Sequence, residues 1–288
     1  MSRFQIGVMS DSFRLSPREG VRKSKEVGAD GIQIYASSGE VSPEQMDAAA
    51  RADFRAFCDD LDLEISALCA DLGGHGFQIP ADNVWKVERS RKIVDLAVDL
   101  GADVVTTHIG CVPDEAADPT YQIMLKACRE LGDYADERSI TFAVETGPET
   151  AARLTAFLDD VDSAGIGANY DPANLVMVTG DDPVQGVYAL RNHIVHTHAK
   201  DGVQYKPCDP VKIYDAFARG GIEGLNFGDY FDEVPLGQGK VDFDAYLAAL
   251  ADIDFHGFLT IEREVGKNPE KDIRTAVEFL REKIKRFQ

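Results

Sequence analysis

The sequence predicts a single-domain (β/α)8 barrel, and three observations predict it. Eight short apolar or β-branched runs recur along the chain, segments of helical spacing separate them, and 288 residues is close to the ~250 typical of such a barrel. No Pro/Gly/Ser-rich linker or shift in composition divides the chain, so one domain over residues 1–288 is expected.

The expected strands are FQIGVM (4–9), GIQIYA (31–36), EISALC (64–69), DVVTTH (103–108), ITFAVE (140–145), IGANYD (166–171), IVHTHA (194–199) and FLTIE (258–262). Helical spacing falls at 43–61, 84–100, 120–138, 151–161 and 243–253. Ser16-Pro17-Arg18-Glu19 and Ser42-Pro43-Glu44-Gln45 each read as a helix start, with a capping hydroxyl, proline in the first turn and an acid or amide three residues on. Val27-Gly28-Ala29-Asp30 and Leu100-Gly101-Ala102-Asp103 repeat one helix-ending phrase, in which glycine takes a left-handed position before the next strand. Residues 202–238 break the rhythm. Their glycines, prolines and aromatics suggest a long loop with a helical piece, packed as a lid.

Composition narrows the function. Fifty acids against thirty bases give a formal charge of −20, which repels a polyphosphate backbone and argues against a nucleic-acid partner. No apolar run approaches the ~18 residues of a membrane span, and the start enters a strand-like run with no export signal before it. Five cysteines, Cys58, Cys69, Cys111, Cys128 and Cys208, are scattered without a C-x-x-C, which suits reduced thiols and a cytoplasmic location.

In such barrels the functional side chains come from the C-terminal ends of strands. The last four strands end in Glu145, Asp171, His198 and Glu262, one imidazole and three carboxylates on one arc of the mouth. This donor set suits one divalent ion, with Mn2+ the first choice, Mg2+ and Co2+ next and Zn2+ less favoured. Residues two apart share a strand face, so His196 points the same way as His198 but one layer deeper, and Glu262 outranks Glu264. His108 ends the fourth strand and is a candidate for a substrate oxygen. Lys200 and Glu149 are weaker candidates for substrate contacts, a surface ion pair explaining either as well. Gln33 is given no role. The G-G-H75-G turn reads as a flexible loop at the barrel mouth rather than a nucleotide loop, whose spacing it lacks.

Taken in order, V-E145-T-G, N-Y-D171-P-A-N, H-T-H198-A-K-D, P-L-G-Q-G-K-V-D-F and T-I-E262-R resemble the sugar phosphate isomerase/epimerase superfamily, the xylose isomerase-like barrels. The pattern is similar to ketose 3-epimerases and to inosose dehydratase-like proteins. The resemblance implies that Glu145, Asp171, His198 and Glu262 bind the metal, while Glu145 and Glu262 also act as an acid–base pair on opposite faces of a bound sugar. Ketose 3-epimerisation through an enediolate is the reading adopted. A lyase acting on a keto-polyol or 3-keto-glycoside with the same ligands, and a non-catalytic sugar-binding or partner subunit, are its alternatives. The expected partner is a small sugar or polyol, and self-association is left open.

Overall fold

In a computed structural model that describes residues 3–287, the chain closes into a barrel of eight parallel strands. Met1, Ser2 and Gln288, the ends of the expected domain, lie outside the described residues. The strands are β1 (Phe4–Met9), β2 (Gly31–Tyr35), β3 (Glu64–Cys69), β4 (Val104–Thr107), β5 (Thr141–Glu145), β6 (Ile166–Tyr170) and β7 (Ile194–Ala199). After them β8 (Asp201–Gln204) and β9 (Phe231–Val234) form a separate antiparallel pair, and β10 (Gly257–Ile261) closes the barrel between β7 and β1.

Around the sheet run α1 (Pro17–Val27), α2 (Ala48–Asp60), α3 (Pro80–Leu100), α4 (Pro119–Asp136), α5 (Ala151–Val161), α6 (Pro172–Asn174), α7 (Pro183–Ala189), α8 (Pro210–Ala218), α9 (Phe243–Asp252) and α10 (Pro269–Ile284). Seven of the ten open on proline, whose fixed φ starts a helix where its missing N–H would have had no partner. The capping box expected at Ser16 forms, with the Glu19 carboxylate accepting from the Ser16 amide and hydroxyl. Gly28 and Gly101 take the left-handed conformation expected of them, at φ of 92° and 80°.

The second expected helix start is wrong. Ser42 opens a tight turn, its hydroxyl donating to the Gly39 carbonyl and its carbonyl accepting from the Gln45 and Met46 amides. Helix α2 begins only at Ala48, capped by Asp47, because Val41 and Met46 are both buried in the core and hold the turn down. Residues 202–238 contain the expected helical piece, α8, and add a short antiparallel strand pair that was not expected. They are ordered by the β8–β9 ladder and by α8, and Asp201 secures their return. Its carboxylate accepts from the amides of Gly202, Gly237, Gly239 and Val241.

Strand alternation divides the side chains. Ile32, Ile34, Phe142, Val144, Ala168, Tyr170, Leu259 and Ile261 face outward into the apolar core between sheet and helices. The intervening positions, Gln33, Glu145, Asn169, His196, His198 and Thr260, point into the barrel and are all buried. No helix among the described residues is long and apolar enough to cross a membrane.

Candidate metal centre and active site

Four donors converge where β5, β6, β7 and β10 end. Glu145, Asp171, His198 and Glu262 each offer one ligand atom, and these atoms lie within 4.8 Å of one another. His198 Nδ1 stands 3.5 Å from Glu145 Oε1, 3.4 Å from Asp171 Oδ2 and 3.4 Å from Glu262 Oε2.

The local chain explains each placement. Glu145 is the last residue of β5, and Glu262 follows the end of β10 on the inward face of Thr260. Asp171 caps α6, its Oδ1 accepting from the Ala173 and Asn174 amides, and this leaves Oδ2 turned to the cluster. His198 has its other nitrogen occupied, with Nε2 donating to Gln33 Oε1 at 2.9 Å. That bond holds the ring so that Nδ1 faces the three carboxylates.

Whether these residues suit a cation can be judged from their unmet valence. Asp171 Oδ2 and His198 Nδ1 are buried and have no hydrogen-bond partner, a costly state for a carboxylate and an imidazole facing each other. A divalent ion satisfies both together with the two glutamates. The donor set therefore fits a metal, three hard oxygens and one imidazole.

Charge is arranged around the same point. Burial disfavours the charge of Glu262, but Lys200 and His198 hold its carboxyl well below the ordinary range. Glu145 is likewise buried, and His108 and His198 keep it lowered. His196 behaves differently. Burial and the neighbouring His198 push it down to about 3, so it is a neutral ring, donating from Nδ1 to Asn169 Oδ1 and accepting the Thr260 hydroxyl at Nε2.

The remaining candidates separate. His108 lines the cleft with Nε2 at 3.6 Å from Glu145 Oε1. Lys200 is only 2% exposed, so the surface reading does not hold for it; its ammonium donates to Glu262 at 2.8 Å and to Glu264. Glu149 is buried and is not among the residues lining the cleft. Neither of its oxygens completes a hydrogen bond, and burial pushes its carboxyl up to about 8. The G-G-H75-G turn does not stand free, because His75 Nε2 meets Asp215 of α8 at 2.8 Å.

Four supporting residues, Gln33, Asn169, Asn174 and Tyr214, were not anticipated. Gln33 braces His198 and in turn donates to Thr106 at 2.8 Å. Asn169 and Asn174 donate to Glu145 Oε2 and Oε1 at 3.1 and 3.2 Å. Asn169 was legible in principle, lying two residues before Asp171 on the same face. Tyr214 was not, since it arrives from α8 and packs over Gly147, where any Cβ would strike its hydroxyl.

The model of the xylose isomerase-like TIM barrel matches residues 21–283, most of the chain. The chain belongs to the xylose isomerase-like TIM barrel family. Among curated relatives of this family member, inosose dehydratase of Bacillus thuringiensis (strain Al Hakam) is 29% identical over 160 residues, 53% of this chain and 51% of the relative. The chain thus spans about half the length of the curated relatives it matches. A xylose isomerase domain protein from Planctomyces limnophilus superposes with a TM-score of 0.80 at 23% identity, covering 99% of this chain and 98% of that one. A D-allulose 3-epimerase from Methylomonas sp. superposes at 0.70 with 18% identity, covering 98% and 99%. At such identities the superpositions establish the fold.

Proposed function

We propose that this family member moves a proton on the carbon beside a carbonyl of a small sugar or polyol, in the concrete form of ketose 3-epimerisation. The observation that carries the reading is a pair of buried, ionised carboxylates, Glu145 and Glu262, flanking one cation-shaped cluster at the floor of the cleft. Glu145, Asp171, His198 and Glu262 would hold the divalent ion, Mn2+ first. When bound it supplies positive charge to the carbonyl oxygen and the neighbouring hydroxyl.

The chain's own residues do the rest. One of the two glutamates takes the α-proton from one face of the substrate, and the other returns a proton to the opposite face, inverting that carbon. Asn169 and Asn174 hold the Glu145 carboxylate in place through both oxygens. The Lys200 ammonium does the same for Glu262. His108, beside Glu145 and open to the cleft, donates to a substrate oxygen.

A second reading, elimination from the same enolate, is favoured by Lys200. Its ammonium lines the cleft beside Glu262 and places positive charge where an expelled oxygen would leave. The inosose dehydratases among the relatives support it equally.

The test is proton NMR in D2O with the Mg2+-loaded protein and a panel of ketoses and inososes. Deuterium at the carbon beside the carbonyl together with an inverted product supports epimerisation. Exchange with an unsaturated ketone selects the lyase. Absence of exchange by the loaded protein on every compound removes free ketoses and inososes as its substrates, and with them 3-epimerisation of a free ketose.

A further inference from the structure

The cleft above the cluster is larger than the substrate class just proposed requires. Its volume is about 940 Å3. At the ~30 Å3 a water-sized group takes up in a liquid, a six-carbon sugar of about a dozen heavy atoms fills on the order of 360 Å3 at most. More than half of the space therefore lies beyond a sugar seated on the four donors.

The walls of that outer space have a definite chemistry. A run of ring contacts climbs from the cluster into it. His108 meets Tyr214 edge-on at 5.9 Å, Tyr214 meets Phe217 at 5.8 Å, Phe217 stacks on Phe227 at 4.4 Å, and Phe227 faces Phe231 at 6.1 Å. Phe217 is 52% exposed and Val211, on the same helix, 62% exposed, and both line the cleft.

The acids of the insertion that also reach the cleft are already engaged. Asp209 caps α8, Asp215 pairs with His75 and Arg219, Asp232 accepts the Tyr205 hydroxyl, and Glu233 pairs with Arg263. What this wall offers a ligand is its aromatic and aliphatic surface, with the Lys212 ammonium of α8 as the one cation of the insertion that reaches the cleft. A free monosaccharide, polar on every side, has little use for such a wall. An apolar ring attached to the sugar would bury against it.

We infer that the outer half of the cleft is a subsite for an apolar, phenyl-sized substituent, so that the substrate is a keto-sugar joined through oxygen to an aromatic or similarly apolar group. The inference rests on the proposed carbonyl chemistry for its inner half and adds the identity of the outer half. It also gives the elimination reading a definite course. A carboxylate takes the α-proton, the C–H pair becomes the enolate double bond, and the C–O bond β to the carbonyl breaks with its electrons on the departing oxygen. That oxygen takes up one proton and leaves as an alcohol or phenol, and the sugar is left as an unsaturated ketone. No oxidant, reductant or water is consumed.

The experiment is calorimetric titration of the full-length Mg2+-loaded protein with phenyl β-glucoside, methyl β-glucoside and cellobiose. These share one sugar and differ only in what would occupy the outer space. Expected is roughly tenfold or greater preference for the phenyl over the methyl compound, from burial of the ring. Phe217→Ala should reduce that preference at least about fivefold while methyl glucoside binding holds, and Val211→Ala, at a more exposed position, should reduce it less.

Equal affinity for phenyl and methyl glucosides, or no saturation by the phenyl compound at millimolar concentration, overturns the inference. So does a preference that neither variant alters. Tighter binding of cellobiose than of phenyl glucoside also overturns it, in favour of a second sugar ring. Because binding is read without turnover, its outcome is independent of deuterium exchange on free ketoses, and the failure of one proposal is distinguishable from failure of the other.

Discussion

The two halves of the barrel mouth are built on opposite plans. Where β5, β6, β7 and β10 end, every strand delivers an ionisable donor, and all four are buried. Where β1 to β4 end, the chain offers mostly neutral groups, among them Tyr35, Cys69 and Thr107, with the Asp71 carboxylate just past β3 and His108, 3.6 Å from Glu145, as the exceptions. The neutral half nonetheless reaches across. Gln33 from β2 spans the interior to fix His198, and Thr106 from β4 holds Gln33. The lesson is that a charged arc needs an uncharged brace, because an imidazole held by only its carboxylate neighbours would not have its orientation set.

The largest effect expected lies in the charged arc. Glu145→Gln and Glu262→Gln should each keep the fold and lower solvent-deuterium exchange on a turned-over substrate by roughly 10²–10⁴-fold, the usual worth of general acid–base catalysis. Undiminished exchange in either variant removes that residue from the proton transfer.

Metal affinity weighs the two halves against each other. Titration with Mn2+ should show the His198→Ala protein as the weakest binder, with Gln33→Leu losing about 10- to 100-fold through the freed imidazole. His196→Ala should change affinity far less, since its ring contacts Asn169, Thr260 and Ser66 rather than the cluster atoms. If Gln33→Leu bound as tightly as wild type, the brace across the barrel would be incidental.

Glu149 tests whether the charged half carries a cost in stability. Its folded carboxyl is raised to about 8 by burial, above its ordinary 4.5, so the folded state holds the proton more tightly than the unfolded chain. The sign follows: the contribution is fully present below about pH 4.5 and is lost as pH rises toward 8. By pH 7 the loss amounts to about 3 kcal/mol. Urea unfolding in EDTA should therefore show Glu149→Gln gaining on wild type between pH 5 and pH 8, and parallel curves would refute the assignment.

The smallest effect belongs to the neutral half. Thr106→Val removes one buried hydrogen bond to Gln33 and should cost about 1 kcal/mol in urea unfolding with a few-fold loss of Mn2+ affinity. A larger metal effect than that of Gln33→Leu would reverse the order of the brace.

Much of this molecule was readable along the chain. Short apolar or β-branched runs marked the strands, the Ser16 box and the two Gly-Ala-Asp phrases marked helix ends, and the four donors stood at the ends of consecutive barrel strands. These signals are local, since they depend on residues within a few positions of one another. Ser42 shows their limit, for the same capping pattern became a turn once Val41 and Met46 had a core to enter. What only the tertiary structure decided are contacts between distant segments. Gln33 and His198 are 165 residues apart, Tyr214 lies over Gly147, and the aromatic wall of the insertion rises beside His108. A strand's own pattern says which face a side chain takes, but what stands opposite is set by barrel closure and by where the insertion comes down. Those placements alone turned a neutral glutamine into the brace of the cluster and decided that Lys200, readable along the chain as a substrate contact or a surface ion pair, is a buried cation.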